Sequence, residues 1–113
     1  MSRFLIAIHR PHGYDASTLS ETSAAVDIDD LNDAMVLAGV RVFVGGLQPP
    51  NRSTSIRRQP DGTLSESAGH FLNSDEFVDG FWILEVPSME EAQNWGRKAA
   101  QACRAAAEVR PFY

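Results

Sequence analysis

Gly80-Phe81-Trp82-Ile83-Leu84-Glu85-Val86-Pro87-Ser88-Met89-Glu90-Glu91 is the stretch that decides the fold. Phe81 to Val86 is aromatic and aliphatic apart from Glu85, and reads as a strand. Pro87 cannot donate to a ladder and ends it. Ser88, followed three residues later by Glu91, forms a capping box that opens a helix. Ala92, Trp95, Ala99 and Cys103 then recur on one face of that helix as its buried stripe. Beyond it, Glu108-Val109-Arg110 reads as a short closing strand.

The same grammar runs upstream. Phe4-Leu5-Ile6-Ala7-Ile8 is a first strand, apolar on both faces, ended by Pro11 and Gly13. Ser23 to Ala38 reads as a helix in which Leu31, Met35 and Ala38 recur, with Ala34 and Leu37 widening the stripe. Asp27, Asp29 and Asp30 sit toward its N-terminal half, where the dipole favours negative charge, and Gly39 fits a left-handed cap. Val40 to Val44 is a second strand, stopped by Gly45-Gly46-Leu47-Gln48-Pro49-Pro50. Ser53–Arg58 and Thr63–Glu66 flank Pro60-Asp61-Gly62 and predict a β-hairpin. Ser67 to Asp79 reads as loop.

The order β-α-β, hairpin, β-α-β in one domain spanning 1–113 predicts an α+β fold. The expected form is a ferredoxin-like antiparallel sheet with two helices on one face plus an extra β-hairpin. Helices then cover one face only, yet Phe4, Ile6 and Ile8 oppose Leu5 and Ala7, and Phe81 and Ile83 oppose Trp82, Leu84 and Val86. At about 25 cal/mol per Å², an uncovered apolar face forfeits many kcal/mol. A second copy is the simplest cover, so a homodimer joined sheet to sheet is expected.

Composition narrows the function. Fifteen acidic residues outnumber ten basic ones, for a net charge of −5. Nucleic acid and anionic membrane both demand a basic surface, and Arg52, Arg57 and Arg58 on the hairpin read as a solvated edge, so neither is an expected partner. The single cysteine, Cys103, closes no intramolecular disulfide and reads as a small helix-packing residue. The apolar run from Phe4 to Ile8 is too short for a signal peptide or a span, and a cytoplasmic location is expected. Gly45-Gly46 lacks the Lys and Ser/Thr of a phosphate loop, and no cofactor is expected.

The chain resembles the YCII-related superfamily, and within it the group named after a DGPF motif. Met35-Val36-Leu37-Ala38-Gly39-Val40, Gly45-Gly46-Leu47-Gln48-Pro49, Pro60-Asp61-Gly62, Gly80 to Val86 and Glu108-Val109-Arg110-Pro111 carry the resemblance by their order and spacing. The motif position reads Ala68-Gly69-His70-Phe71, so the family's Asp and Pro are absent and no role of that Asp transfers. The resemblance implies a dimeric α/β barrel. It also implies similarity to lyases of small ring compounds, with a His–Asp pair as the site proposed in the wider superfamily.

Three histidines are available for proton transfer near neutral pH: His9, His12 and His70. His70 with Asp79 is the candidate acid–base pair, with Asp75 a second carboxylate nearby and His9 expected close by at the end of the first strand. His9, His12 and Asp15 have H-x-x-H-x-x-D spacing, but in a loop such spacing is non-specific, and the reading is solvated histidines with no metal. Gly45 and Gly46 let backbone come close to a ligand or a strand. Phe71 and Trp82, with Phe43 and Phe81, are the candidate walls of an apolar pocket in the dimer cavity. Two functions follow. One is a small-molecule lyase or hydrolase with His70 as acid and base. The alternative is a non-catalytic binding or regulatory module that uses the arginine-bearing hairpin.

Overall fold

A computed structural model of the chain describes residues 1–15, 23–71 and 74–113. The fold is α+β. β1 (Ser2–Pro11) is followed by α1 (Ser23–Leu37) and β2 (Arg41–Gly46), then by a hairpin of β3 (Thr54–Arg58) and β4 (Leu64–Ala68). β5 (Glu76–Val86), α2 (Met89–Cys103) and β6 (Ala106–Pro111) complete the chain. The main sheet is antiparallel with strand order β2-β5-β1-β6, and β3–β4 forms a separate two-stranded sheet. The main sheet is open, with β2 and β6 as its edges, and does not close into a barrel. No helix among the described residues is long and apolar enough to cross a membrane.

The helix ends follow their sequence signals. Ser88 Oγ accepts from the Glu91 backbone N–H at 3.3 Å and caps α2. Gly39 takes the left-handed conformation (φ 73°) after α1, and the Val40 N–H reaches back to the Met35 carbonyl. α2 ends on a left-handed Arg104 (φ 53°), which carries no sequence cue. Its guanidinium repays the strain locally, bonding Asp27 Oδ2 at 2.8 Å, Ser23 Oγ at 3.0 Å and the Ala102 carbonyl.

Both helices lie on one face of the sheet. Phe4, Ile6 and Ile8 of β1 and Trp82, Leu84 and Val86 of β5 pack there against Leu31 and Met35 of α1 and Ala92, Ala99 and Cys103 of α2. The α1 stripe is narrower than its periodicity suggests. Ala34, Leu37 and Ala38 are exposed, because the main backbone neighbours of α1 are α2 and the edge strand β2.

The opposite face is bare of helices, with Ala7 buried and Leu5, His9, Phe81 and Ile83 half-buried among their sheet neighbours. Leu5 pairs with Ile83, Ala7 with Phe81 and His9 with Val78. Phe43 and Gly45 lie beside Ile83 and Phe81, and Arg110, Glu108 and Ala106 beside Leu5, Ala7 and His9. Directly opposed residues share a face, so Leu5, Ala7, His9, Phe43, Phe81 and Ile83 all look away from the helices. The chain exposes 7610 Å², whereas a compact monomer of this mass exposes about 6,100 Å². Its radius of gyration is 15.9 Å against about 13 Å for a compact domain.

The segment expected to be loop is strand at its two ends and non-strand at 69–71 and 74–75, with 72–73 outside the described residues. β4 runs to Ala68 and β5 starts at Glu76, where Pro11, Arg10 and His9 pair with Glu76, Phe77 and Val78. The alternation fails there because the register slips between Ile8 and His9: Ile8 faces Gly80, His9 faces Val78, and Asp79 is left over as a β-bulge.

Candidate functional site

The bulge re-aims one carboxylate. Strict alternation from Gly80 would turn Asp79 to the bare face; the extra residue turns it toward Arg10 instead, whose Nε donates to Asp79 Oδ2 at 3.2 Å. Arg10 is buried, 4% exposed, on the helix-covered face after Phe4, Ile6 and Ile8. A cation there requires partners on every side. It has Asp79, the Cys103 carbonyl at the end of α2, and the Tyr14 ring, 4.2 Å from the guanidinium carbon.

Next to this ion pair the sheet lacks side chains. Gly46 lies opposite Gly80 on the helix-covered face, and neither fills the space beneath α1. A cavity of about 140 Å³ results. Ile8, Val44, Ile28 and Trp82 form its apolar walls, Arg10 and Asp79 its polar end, and Cys103 and Asn32 complete it. The two glycines are not equivalent. A Cβ on Gly80 would lie 2.7 Å from the Gly45 carbonyl oxygen, whereas one on Gly46 would meet nothing within 4 Å. Asn32 Oδ1 accepts from the Trp82 indole N–H at 2.9 Å and from Arg41 at 3.2 Å. Burial pushes the Cys103 thiol up, against the opposing pull of Arg10, so the thiol is held protonated as part of the wall.

The histidines divide. His12 and His70 come together, ring centroids 4.9 Å apart, with Phe77 5.6 Å from His12. The His12 N–H donates to the Asp75 carbonyl at 3.1 Å, which ties the turn after β1 to the segment leading into β5. His70 faces a cleft of about 410 Å³ walled by Leu47 to Pro50, Arg52, Ser53, Phe77 and Val78. This cleft runs between the main sheet and the hairpin. His9 stands on the bare face, Nε2 3.6 Å from Glu108 Oε1. The Glu108 carboxyl lies below its usual range, chiefly because Arg110 bonds it and secondarily because of His9.

The sequence-predicted residues therefore separate, with His9 on the bare face apart from the rest. Gly45, Gly46, Trp82 and Asp79 line the cavity under α1. His70 lines the cleft beside the hairpin, and its ring neighbour is His12. Phe71 belongs to the hairpin base, with the Arg57 guanidinium 4.2 Å over its ring. Sequence reasoning did not single out Arg10 or Asn32. Arg10 had a signal: it continues the i, i+2 register of Phe4, Ile6 and Ile8, and a charge in that register is either an error of phase or a buried functional group. A depression of about 730 Å³ is an open groove between α1 and α2. Its cations are already engaged, Arg104 by Asp27, Arg97 by Asn94 and Lys98 by the Trp95 ring, and it gathers no chemistry.

The family model described as the YCII-related domain matches residues 3–113. The chain belongs to the YCII-related family. No curated protein matches it.

Proposed function

For a YCII-related domain of this geometry, we propose a small-molecule enzyme that works as a homodimer and moves a proton with His70 in the cleft between the sheet and the hairpin. The observation that carries the proposal is the His12–His70 ring contact at the wall of that cleft. His70 lines the cleft and His12 stands against its ring, so His70 meets the substrate as acid and base, with His12 as its neighbour for a proton, without any cofactor. The reactions this serves are elimination or hydrolysis of a small, cyclic or ester-like substrate. Arg52, at the cleft's hairpin side, is the group suited to a substrate carboxylate. Asp79 acts from a distance by holding Arg10, and His12 takes the place beside His70 that the sequence pattern gave to Asp79.

The homodimer reading rests on the bare face. The strand order β2-β5-β1-β6 with both helices on one side is the ferredoxin-like arrangement, and two such sheets face to face make a dimeric α/β barrel. His9 and Glu108 would then line the inter-sheet space next to the cleft.

Turnover of a panel of small lactones and esters tests the assignment. On any substrate found, His70→Ala should lower kcat by about 10²–10⁴-fold. Undiminished turnover by His70→Ala would refute it. A stoichiometric protein partner in place of any turnover would favour the non-catalytic module.

A further inference from the structure

We propose that the cavity over the Gly46–Gly80 pair is a second binding site, distinct from the His70 cleft, for a small neutral molecule of about ring size bearing one hydroxyl or amide group.

Size sets the first limit. The cavity is about 140 Å³, close to the roughly 150 Å³ that accommodates a benzene ring and well below the ~300 Å³ at which pockets for drug-sized ligands begin. Nucleotides and flavins are excluded by volume. The space exists because two glycines face each other across β2 and β5. Gly46 does not need to be glycine for the backbone: its φ is not positive and its Cβ would meet nothing within 4 Å. The missing side chain at 46 leaves room for something else.

Charge sets the second limit. The Arg10 side chain is 5% exposed and paired with Asp79, and among the described residues no other charged side chain lines the cavity. An ionised ligand would bring an uncompensated charge against a pair that is already neutral. A hydroxyl or primary amide suits both partners at once, giving its proton to the Asp79 carboxylate and accepting from the Arg10 guanidinium. Asn32 Oδ1 is taken up by Trp82 and Arg41, and its Nδ2 donates to the Ile28 carbonyl, so the charged recognition falls to Arg10 and Asp79. The Asp79 side chain is 22% exposed, so the polar end of the cavity reaches solvent.

The test uses the full chain with phenol and benzoate as probes, followed by NMR at the Trp82 indole N–H, identified with Trp95→Phe. Phenol should shift that resonance saturably with a dissociation constant on the order of 1 mM, and benzoate should bind at least tenfold more weakly. Gly46→Val, which fills the cavity, should weaken phenol tenfold or more. Gly46→Ala should weaken it less and serves if the valine variant fails to fold. Asp79→Asn, which leaves Arg10 uncompensated, should reverse the preference toward benzoate. His70→Ala should leave phenol binding within twofold, separating this site from the catalytic cleft. Benzoate binding the unaltered chain as tightly as phenol, phenol binding unmoved by both Gly46 variants, or no saturable shift would each overturn the proposal.

Discussion

Replacing Gly96 by alanine should destabilise the protein, although alanine is the better helix former. Gly96 lies in the middle of α2, where alanine is worth about 0.8–1.0 kcal/mol over glycine. A Cβ at that position would lie 2.5 Å from Val109 Cγ2 of β6. Carbon contacts are optimal near 3.5–4.0 Å, so helix or strand must give by about 1 Å, and overpacking of this kind costs about 1–3 kcal/mol. The expected net loss is about 1 kcal/mol, or a Tm lower by about 4 °C for a domain of this size. Val109→Ala removes both γ-carbons and alone costs about 1–2 kcal/mol. In that background Gly96→Ala should stabilise by about 1 kcal/mol, a reversal of sign and a coupling near 2 kcal/mol. Urea unfolding of the four chains at one fixed protein concentration measures the cycle. The same sign of Gly96→Ala in both backgrounds would refute the reasoning. The consequence reaches the site, because the height of α2 above the sheet places the Cys103 carbonyl on Arg10.

Asp79→Asn should cost about 3 kcal/mol by urea unfolding, since it strands a buried cation; replacing Arg10 and Asp79 together by methionine and leucine should recover most of that loss. The raised Cys103 thiol means that the folded chain holds that proton more tightly than the unfolded one. Its contribution to stability is therefore full below the free-thiol value and is lost as pH rises through the raised one; Cys103→Ala should flatten this alkaline decline in a Tm-versus-pH series. Phe43 is 50% exposed on the bare face, and Phe43→Asp should convert a dimer to monomer in light scattering at micromolar concentration while leaving the far-ultraviolet circular dichroism unchanged.

Most of the architecture was legible because it is written in local signals. The Phe81–Val86 run, the Ser88 cap, Gly39 and Pro60-Asp61-Gly62 each specify one backbone event, and the elements they imply all form. Two apolar faces on β1 and β5 with only two helices to cover them also made the bare face foreseeable. What was not legible depends on register. His9, Arg10, Asp79 and Gly80 interrupt the apolar alternation in both central strands, so the first turns of β5 resembled loop. The pairing of Arg10 with Phe77 and of His9 with Val78 cancels that appearance only once β1 and β5 lie side by side. The Arg104 cap was invisible for a similar reason: its left-handed backbone is held by Asp27 and Ser23, 77 and 81 positions away.

The site follows from that single slip. Had β5 kept its register through residue 79, the Asp79 carboxylate would stand opposite His9 on the bare face, and Arg10 would lie buried opposite Val78 without a counter-ion. The insertion moves one negative charge through the sheet. It neutralises Arg10 on the covered side and leaves the bare side to His9, Glu108 and apolar groups. Gly80 is required at the next position because the bend brings β2 within 2.7 Å of where its Cβ would be. Gly46, directly across, bears no such crowding, so packing does not account for it. A glycine that neither the backbone nor its neighbours require is best explained by what occupies the space above it, and that makes Gly46 the residue on which the second site stands.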